Sequence, residues 1–289
     1  MNDSPSQTIK IVECPRDAMQ GWPHFIPTEK KIEYINALLK VGFDTIDFGS
    51  FVSPMAIPQM ADTKDVINHL DVDVTKTKLL AIIANERGAN DAIKFDKISY
   101  LGFPFSISET FQQRNTNSSV DESLKRVASI QNLCVQHNKE LVVYISMGFG
   151  NPYGDEYNKE IVKLRAKQIE DLGVKIISIA DTVGLATANE IGVLMQKVIP
   201  AFKNIEIGVH LHSAPEHRIA KLEAALNAGC RRFDSALKGI GGCPMAGNDL
   251  VGNMDTETML RYFKERGEQL HIDNIALKEC GKMASEIFI

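Results

Sequence analysis

His210 and His212 stand two residues apart in Gly208-Val209-His210-Leu211-His212, a run in which apolar and polar positions alternate. In an extended strand that spacing turns both imidazoles to one face. Two imidazoles on one face, at the end of an otherwise apolar strand, make half of a metal site; a strand-end pair that only hydrogen-bonds is the plainer alternative. Asp17 offers a carboxylate and Asn253 an amide. The four donors together suit a divalent cation, Mg²⁺ or Mn²⁺, with positions left for water or substrate. Zn²⁺ is less favoured, because no thiolate is needed and the amide carbonyl is a hard ligand. Arg16, beside Asp17, would hold a permanent positive charge next to such an ion, where it can stabilise an enolate or carbonyl oxygen as negative charge develops. Cys243 sits in a glycine-rich loop, Gly239-Ile240-Gly241-Gly242-Cys243-Pro244, and not on a periodic apolar face. A loop of that kind can move, exclude water and deliver a thiol as proton donor or acceptor, although a free cysteine is commonly just a small buried hydrophobe.

Eight β-rich runs must carry these residues. They fall near Ile9–Cys14, Thr45–Phe48, Lys78–Ala84, Lys97–Leu101, Glu140–Ser146, Lys175–Ala180, Glu206–Leu211 and Arg231–Ala236. Helical patterns lie between them, at Thr28–Lys40, Thr63–Leu70, Asn90–Phe95, Val120–His137, Glu156–Leu172, Thr187–Ile199, Glu216–Ala228 and Thr256–Glu265. In the first, Ile32, Ile35, Leu38 and Leu39 keep the three-and-four spacing of a buried stripe. Gly42, Gly173 and Gly229 fall where helices should stop. Alternation of strand and helix predicts parallel strands with crossover helices, and eight units predict an α/β fold, a closed (β/α)₈ TIM barrel. Asn274–Ile289 is then an extra C-terminal helix. An open doubly wound sheet is the competitor, but no G-x-G-x-x-G follows the first strand. In a barrel of this kind the chemistry lies at the C-terminal strand ends. Arg16-Asp17, Asp47, Asp181-Thr182-Val183-Gly184, His210-Leu211-His212 and the glycine loop all fall there. Turn-forming residues without a function would be scattered over both ends.

The chain has 289 residues and a net charge of -5, a length ordinary for one barrel. No linker divides it, so residues 1–289 are expected to form one domain. A mildly acidic chain without a basic block argues against nucleic acid as a partner. No apolar run approaches the ~20 residues of a membrane helix, so no membrane partner is expected, and Met1–Lys10 shows no secretory signal. Five scattered cysteines suit free thiols in a reducing cytoplasm.

Over nearly its whole length the chain resembles the 3-hydroxy-3-methylglutaryl-CoA lyases, a family of metal-dependent aldolase-like barrels. The likeness rests on Arg16-Asp17 with Gln20, Ser50-Phe51-Val52-Ser53-Pro54, Pro58-Gln59-Met60, Ser108-Glu109 with Asn115, and Glu122-Ser123. It continues through Asn151-Pro152-Tyr153, Asp181-Thr182-Val183-Gly184, His210-Leu211-His212, Gly241-Gly242-Cys243-Pro244 and Gly252-Asn253. Ser-Phe-Val-Ser-Pro and Gly-Gly-Cys-Pro are the specific pieces. The resemblance implies cleavage of an acyl-CoA substrate, 3-hydroxy-3-methylglutaryl-CoA, to acetyl-CoA and acetoacetate. It matches Asp17, His210, His212 and Asn253 to the metal ligands and Arg16 to the enolate-stabilising arginine. It matches Cys243 to the loop cysteine that transfers a proton, and counts His210, Asp47 and Asp181 among the catalytic groups. Gln20 and Ser50 join Arg16 as substrate contacts, and a homodimer is implied. The departures surround the acyl pocket. Ser213-Ala214-Pro215 replaces Asp-Thr-Tyr-Gly, Asp47 replaces a Glu, and Asn151 replaces a Cys. Ala18-Met19 and Gly21-Trp22 replace Gly-Leu and Asn-Glu. Rival readings are a Claisen-type acyl-CoA synthase, a 4-hydroxy-2-oxoacid aldolase and a non-catalytic barrel. Cys243 and the short C-terminal extension favour lysis over condensation.

Overall fold

The computed structural model describes residues 8–242 and 251–289. Eight parallel strands close on themselves in chain order: β1 (Lys10–Glu13), β2 (Thr45–Ser50), β3 (Lys78–Ile82), β4 (Ile98–Ser106), β5 (Glu140–Ser146), β6 (Ile176–Asp181), β7 (Glu206–Leu211) and β8 (Arg232–Ser235). β1 pairs with both β2 and β8, which completes the ring. The expected TIM barrel is the observed fold.

The helices are α1 (Pro15–Gln20), α2 (Thr28–Leu38), α3 (Thr63–Asn68), α4 (Glu86–Ala92), α5 (Glu109–Thr116), α6 (Val120–Gln136), α7 (Lys159–Asp171), α8 (Ala188–Val198), α9 (Arg218–Asn227), α10 (Thr256–Glu265) and α11 (Asn274–Ile287). Their starts follow local chemistry. Ser119 with Glu122 and Thr187 with Glu190 form reciprocal capping boxes. Asn85, Ser108, Asn158, Asp255 and Asp273 cap five more N-termini through their side chains. Gly42, Gly173 and Gly229 each follow a helix at positive φ. No helix among the described residues is long and apolar enough to cross a membrane.

Three helices and part of a strand depart from expectation. α1 begins directly at the end of β1 with proline in its first turn, so Arg16 and Asp17 lie on a helix and not in an irregular loop. α5 has no counterpart among the expected helical patterns; Ser108 caps it by accepting from Phe111 N. β4 runs on to Ser106 through Gly102 and Pro104, which pair with Val142 and Tyr144 of β5. α4 starts at Glu86, four residues earlier than its apolar pattern indicated, because Asn85 fixes its first turn.

The apolar core has two parts. A large shell between strands and helices includes Phe43, Phe103, Phe105, Phe233 and Phe263. A smaller cluster, Leu80, Ile82, Tyr100, Val142, Tyr144 and Ile176, fills the barrel interior. α11 closes over α2, where Phe288 meets Trp22 at 5.2 Å and Tyr34 at 6.5 Å between ring centroids. Trp22 is therefore a packing residue between the α1–α2 loop and the C-terminus.

Glu13, at the end of β1, is completely buried. Its carboxyl oxygens accept from Leu237 N at 2.8 Å and Thr256 Oγ1 at 2.6 Å, tying β1 to the turn after β8 and to α10. Burial pushes its pKa up to about 8, although the hydrogen bonds from Thr256 and Leu237 favour the charged form. A pKa higher in the fold than in the unfolded chain gives stability that is complete at acid pH, declines above the unfolded value of 4.5, and is gone above about 8. The melting temperature should fall as pH rises from 6 to 9, and less steeply in Glu13→Gln. Parallel profiles for the two proteins would contradict a neutral Glu13.

Candidate active site

The C-terminal strand ends surround a cavity of about 330 Å³. Its floor carries Arg16, Asp17, Gln20, His210 and His212; one wall is apolar, with Val52, Ile57, Ile82 and Phe111. Ligand atoms of Asp17, His210 and His212 all lie within 4.8 Å of one another, and all three residues are buried.

The orientation of the imidazoles decides what they can do. His210 Nδ1 donates to Asp234 Oδ2 at 3.1 Å, and His212 Nδ1 donates to the carbonyl of Thr182 at 2.9 Å. Thr182 is itself held, since Met147 N donates to its Oγ1 at 2.8 Å. With both Nδ1 atoms occupied as donors, both Nε2 lone pairs are free, and the two Nε2 atoms face each other at 3.2 Å. Burial pushes His212 down to about 4, so its ring is neutral. Burial opposes the charge of Asp17, but Arg16 above all, with the Asn253 amide, more than offsets it and holds the carboxyl at about 2. Two converging lone pairs beside an ionised carboxylate fit a divalent cation with bonds of about 2–2.5 Å.

Asn253 arrives by a different route. Residues 252–254 run antiparallel to the end of β7, with Ser213 N to Gly252 O at 2.9 Å and Met254 N to Leu211 O at 3.1 Å. This stitch sets Asn253 opposite His212. Its Nδ2 donates to Asp17 Oδ2 at 2.7 Å and to Ile240 O at 2.9 Å, which leaves the amide oxygen as the candidate ligand atom. Gly241 must be glycine here, because a Cβ would lie 2.7 Å from Asn253 Nδ2 and from Asp17 O.

Arg16 is buried between two carboxylates. Its Nε donates to Asp47 Oδ2 at 3.0 Å, a second nitrogen reaches the same carboxylate, and Nη1 donates to Asp17 Oδ1 at 2.9 Å. Burial works against this charge, but Asp47 and Asp17 raise its pKa, so it stays a cation. Gln20 Nε2 donates to Asp17 Oδ1 at 2.7 Å. Asp47 thus reaches the cavity through Arg16.

Two expected site residues, Asp181 and Ser50, stand elsewhere. Asp181 Oδ2 accepts from Lys221 Nζ at 2.7 Å, and its Oδ1 accepts from Ala186 N at 3.1 Å. Both oxygens are used beneath the site, and the residue is absent from the cavity lining. Ser50 lines a neighbouring depression with Phe51 and Arg87 instead, and its Oγ accepts from Val52 N at 3.2 Å. Cys243 lies outside the described residues. His210, expected as ligand and as catalytic group, has one nitrogen on Asp234 and the other in the cluster, so ligation leaves it no nitrogen to act as a base. A second grouping, Cys14 with His210 and Asp234, uses the same imidazole. There burial pushes the Cys14 thiol well above its usual range.

Sequence reasoning missed the residues behind the floor. Asp234 and Thr182 aim the imidazoles. Lys221 Nζ binds Asp181, the His212 carbonyl at 2.8 Å and the Gly184 carbonyl at 3.3 Å. Strand alternation from Arg232 to Asp234 could have flagged Asp234; nothing local marks Lys221, which looks like any helical lysine.

A family model described as HMGL-like matches residues 8–284. The chain belongs to the HMGL-like family. Among relatives, a hydroxymethylglutaryl-CoA lyase of Bacillus subtilis is 30% identical over 279 residues, 96% of this chain and 92% of that one. A 3-hydroxy-3-isohexenylglutaryl-CoA/hydroxymethylglutaryl-CoA lyase of Pseudomonas aeruginosa is 30% identical over 277 residues, 95% and 91% of the two chains. A solved HMG-CoA lyase from Acinetobacter baumannii, in complex with coenzyme A and 3-methylmalate, superposes with a TM-score of 0.92 at 28% identity, covering 99% of this chain and 93% of its own.

In this HMGL-like chain, removing one partner of a buried ion pair leaves the other charge stranded. Lys221→Met should cost about 3–5 kcal/mol in urea unfolding. A loss below about 1 kcal/mol, the value of a surface pair, would contradict the bracing role given to Lys221 and Asp181.

Proposed function

We propose that this HMGL-like chain is a carbon–carbon lyase that cleaves 3-hydroxy-3-methylglutaryl-CoA to acetyl-CoA and acetoacetate. The observation that carries the reading is the convergence of Asp17, His210 and His212 at the floor of a cavity that Arg16 also lines. The relatives named above act on this substrate class. Asp17, His210, His212 and the Asn253 amide oxygen would hold a divalent cation, Mg²⁺ or Mn²⁺. When bound it would supply a Lewis acid for the oxygens of the substrate.

The chain's own residues divide the rest of the work. The reaction moves the tertiary hydroxyl proton to an acceptor, breaks the C2–C3 bond and leaves a ketone and a thioester enolate. Arg16, locked by Asp47, presents its guanidinium to the enolate oxygen without having to reorganise. Cys243 would return a proton to the enolate carbon, as the loop position suggests. The apolar wall excludes water from the enolate and accepts the 3-methyl group. Arg114, whose guanidinium carbon lies 4.7 Å above the Tyr153 ring at the cavity edge, offers a cation to the CoA phosphates. A cytoplasmic homodimer belongs to this reading; the four described cysteines are free and buried.

Incubation with 3-hydroxy-3-methylglutaryl-CoA and Mg²⁺ or Mn²⁺ should release acetoacetate, and prior chelation with EDTA should stop it until metal is restored. No product at high enzyme concentration would remove the reading. Arg16→Lys keeps a charge but loses the fork, and should lower kcat by about 10²- to 10³-fold. Cys243→Ser should cut turnover by about 10²-fold or more with an unchanged melting temperature. A structural cysteine would show the reverse.

A further inference from the structure

Beneath the imidazole pair, polar side chains share the barrel interior with the small apolar cluster. Tyr144, Ser178 and Gly208 are register neighbours on β5, β6 and β7. Arg232 of β8 lies across Gly208, where a Cβ would come within 3.0–3.1 Å of the arginine stem. Glycine at 208 therefore makes room for this side chain. Arg232 is completely buried, and its Nη1 reaches only Asp44 and Glu206, each at 3.5 Å.

Five polar atoms in this layer and the one above have no protein hydrogen-bond partner: Tyr144 Oη, Ser178 Oγ, Arg232 Nε and Nη2, and Asp234 Oδ1. They comprise two hydroxyls, two guanidinium nitrogens and one carboxylate oxygen. Buried polar groups in folded proteins are satisfied by protein or by ordered water, and water settles where several such partners surround a polar space. Arg232 and Asp234 are two apart on β8 and project to the same face. Asp234 is the strongest charged neighbour of Arg232 and, against the cost of burial, helps keep it protonated.

The consequence concerns His210. Asp234 grips His210 Nδ1 with one oxygen at 3.1 Å, and a carboxylate held by one oxygen only can swing. Groups that orient a ligating imidazole in this way govern metal affinity. We propose that ordered water bridges Arg232 to Asp234 Oδ1 under the barrel floor, making Arg232 a positioning residue that fixes His210 for the cation through Asp234. This rests on the metal-site reading given under Proposed function.

The test titrates Mn²⁺ alone into metal-free protein by calorimetry at one pH and records the nitrogen resonance of His210 Nδ1. Arg232→Met should weaken Mn²⁺ binding about tenfold or more and shift that resonance. Arg232→Lys should recover most of the affinity. Ser178→Ala, which removes one water contact and no charge, should give a smaller loss in the same direction. A folded Arg232→Met with unchanged affinity and resonance would overturn the proposal. Should that variant fail to fold, wild-type behaviour in Ser178→Ala and equal weakening in Arg232→Lys and in an Asp234→Ala control would do the same. A crystal structure with a dry floor, or with Arg232 directly on Asp234, would overturn the water bridge. Failure of the wild-type protein to bind Mn²⁺ at all would instead remove the metal site on which the proposal rests.

Discussion

The site depends on two hydrogen bonds made away from it. Asp234 and the Thr182 carbonyl each take an Nδ1–H, and this forces both Nε2 lone pairs toward one point. Were either bond lost, that imidazole could flip or change tautomer, and the 3.2 Å approach of the two nitrogens would have no purpose. Two neutral acceptors face to face repel unless a proton or a cation sits between them. Asp17, ionised and within reach, favours the cation.

Each anchor is in turn embedded in the barrel. Thr182 is fixed by Met147 at the end of β5 and follows Asp181, whose carboxylate is pinned by Lys221. The same lysine holds the His212 carbonyl, so α9 braces β6 and β7 at once. Arg16 joins α1 to β2 through Asp47, and Asn253 joins the segment after β8 to α1 through Asp17. Elements far apart in sequence thus meet through charged or amide side chains that are almost all buried. Such pairs are costly to desolvate and costly to break. They give the floor a single arrangement, and that preorganisation is what charge stabilisation at an enolate requires.

The sequence carried the barrel clearly, because eight β-rich runs separated by 3.6-period patterns leave few alternatives. β5, β7 and α10 have the boundaries the pattern gave. The losses have physical causes. α1 and α5 are short, and their starts depend on proline geometry and a serine cap rather than on an apolar stripe. Pro104 disguised the second half of β4. Within the site, His210 and His212 were legible because strand alternation is local. Asp181 was misplaced as a cavity residue because only the fold reveals Lys221 behind it. The roles of the residues that aim the imidazoles were harder to read: alternation along β8 marks Asp234 only as inward-facing, since its partner lies on another strand, and Thr182 acts through its backbone, which sequence does not mark.

Diffraction from crystals grown with Mn²⁺, recorded at the manganese absorption edge, addresses the central claim most directly. One anomalous peak should lie about 2–2.5 Å from an Asp17 carboxylate oxygen and from the Nε2 atoms of both His210 and His212, with each Nδ1 still on Asp234 and Thr182. A peak elsewhere, ligation through Nδ1, or two imidazoles still facing each other with no metal between them would contradict it.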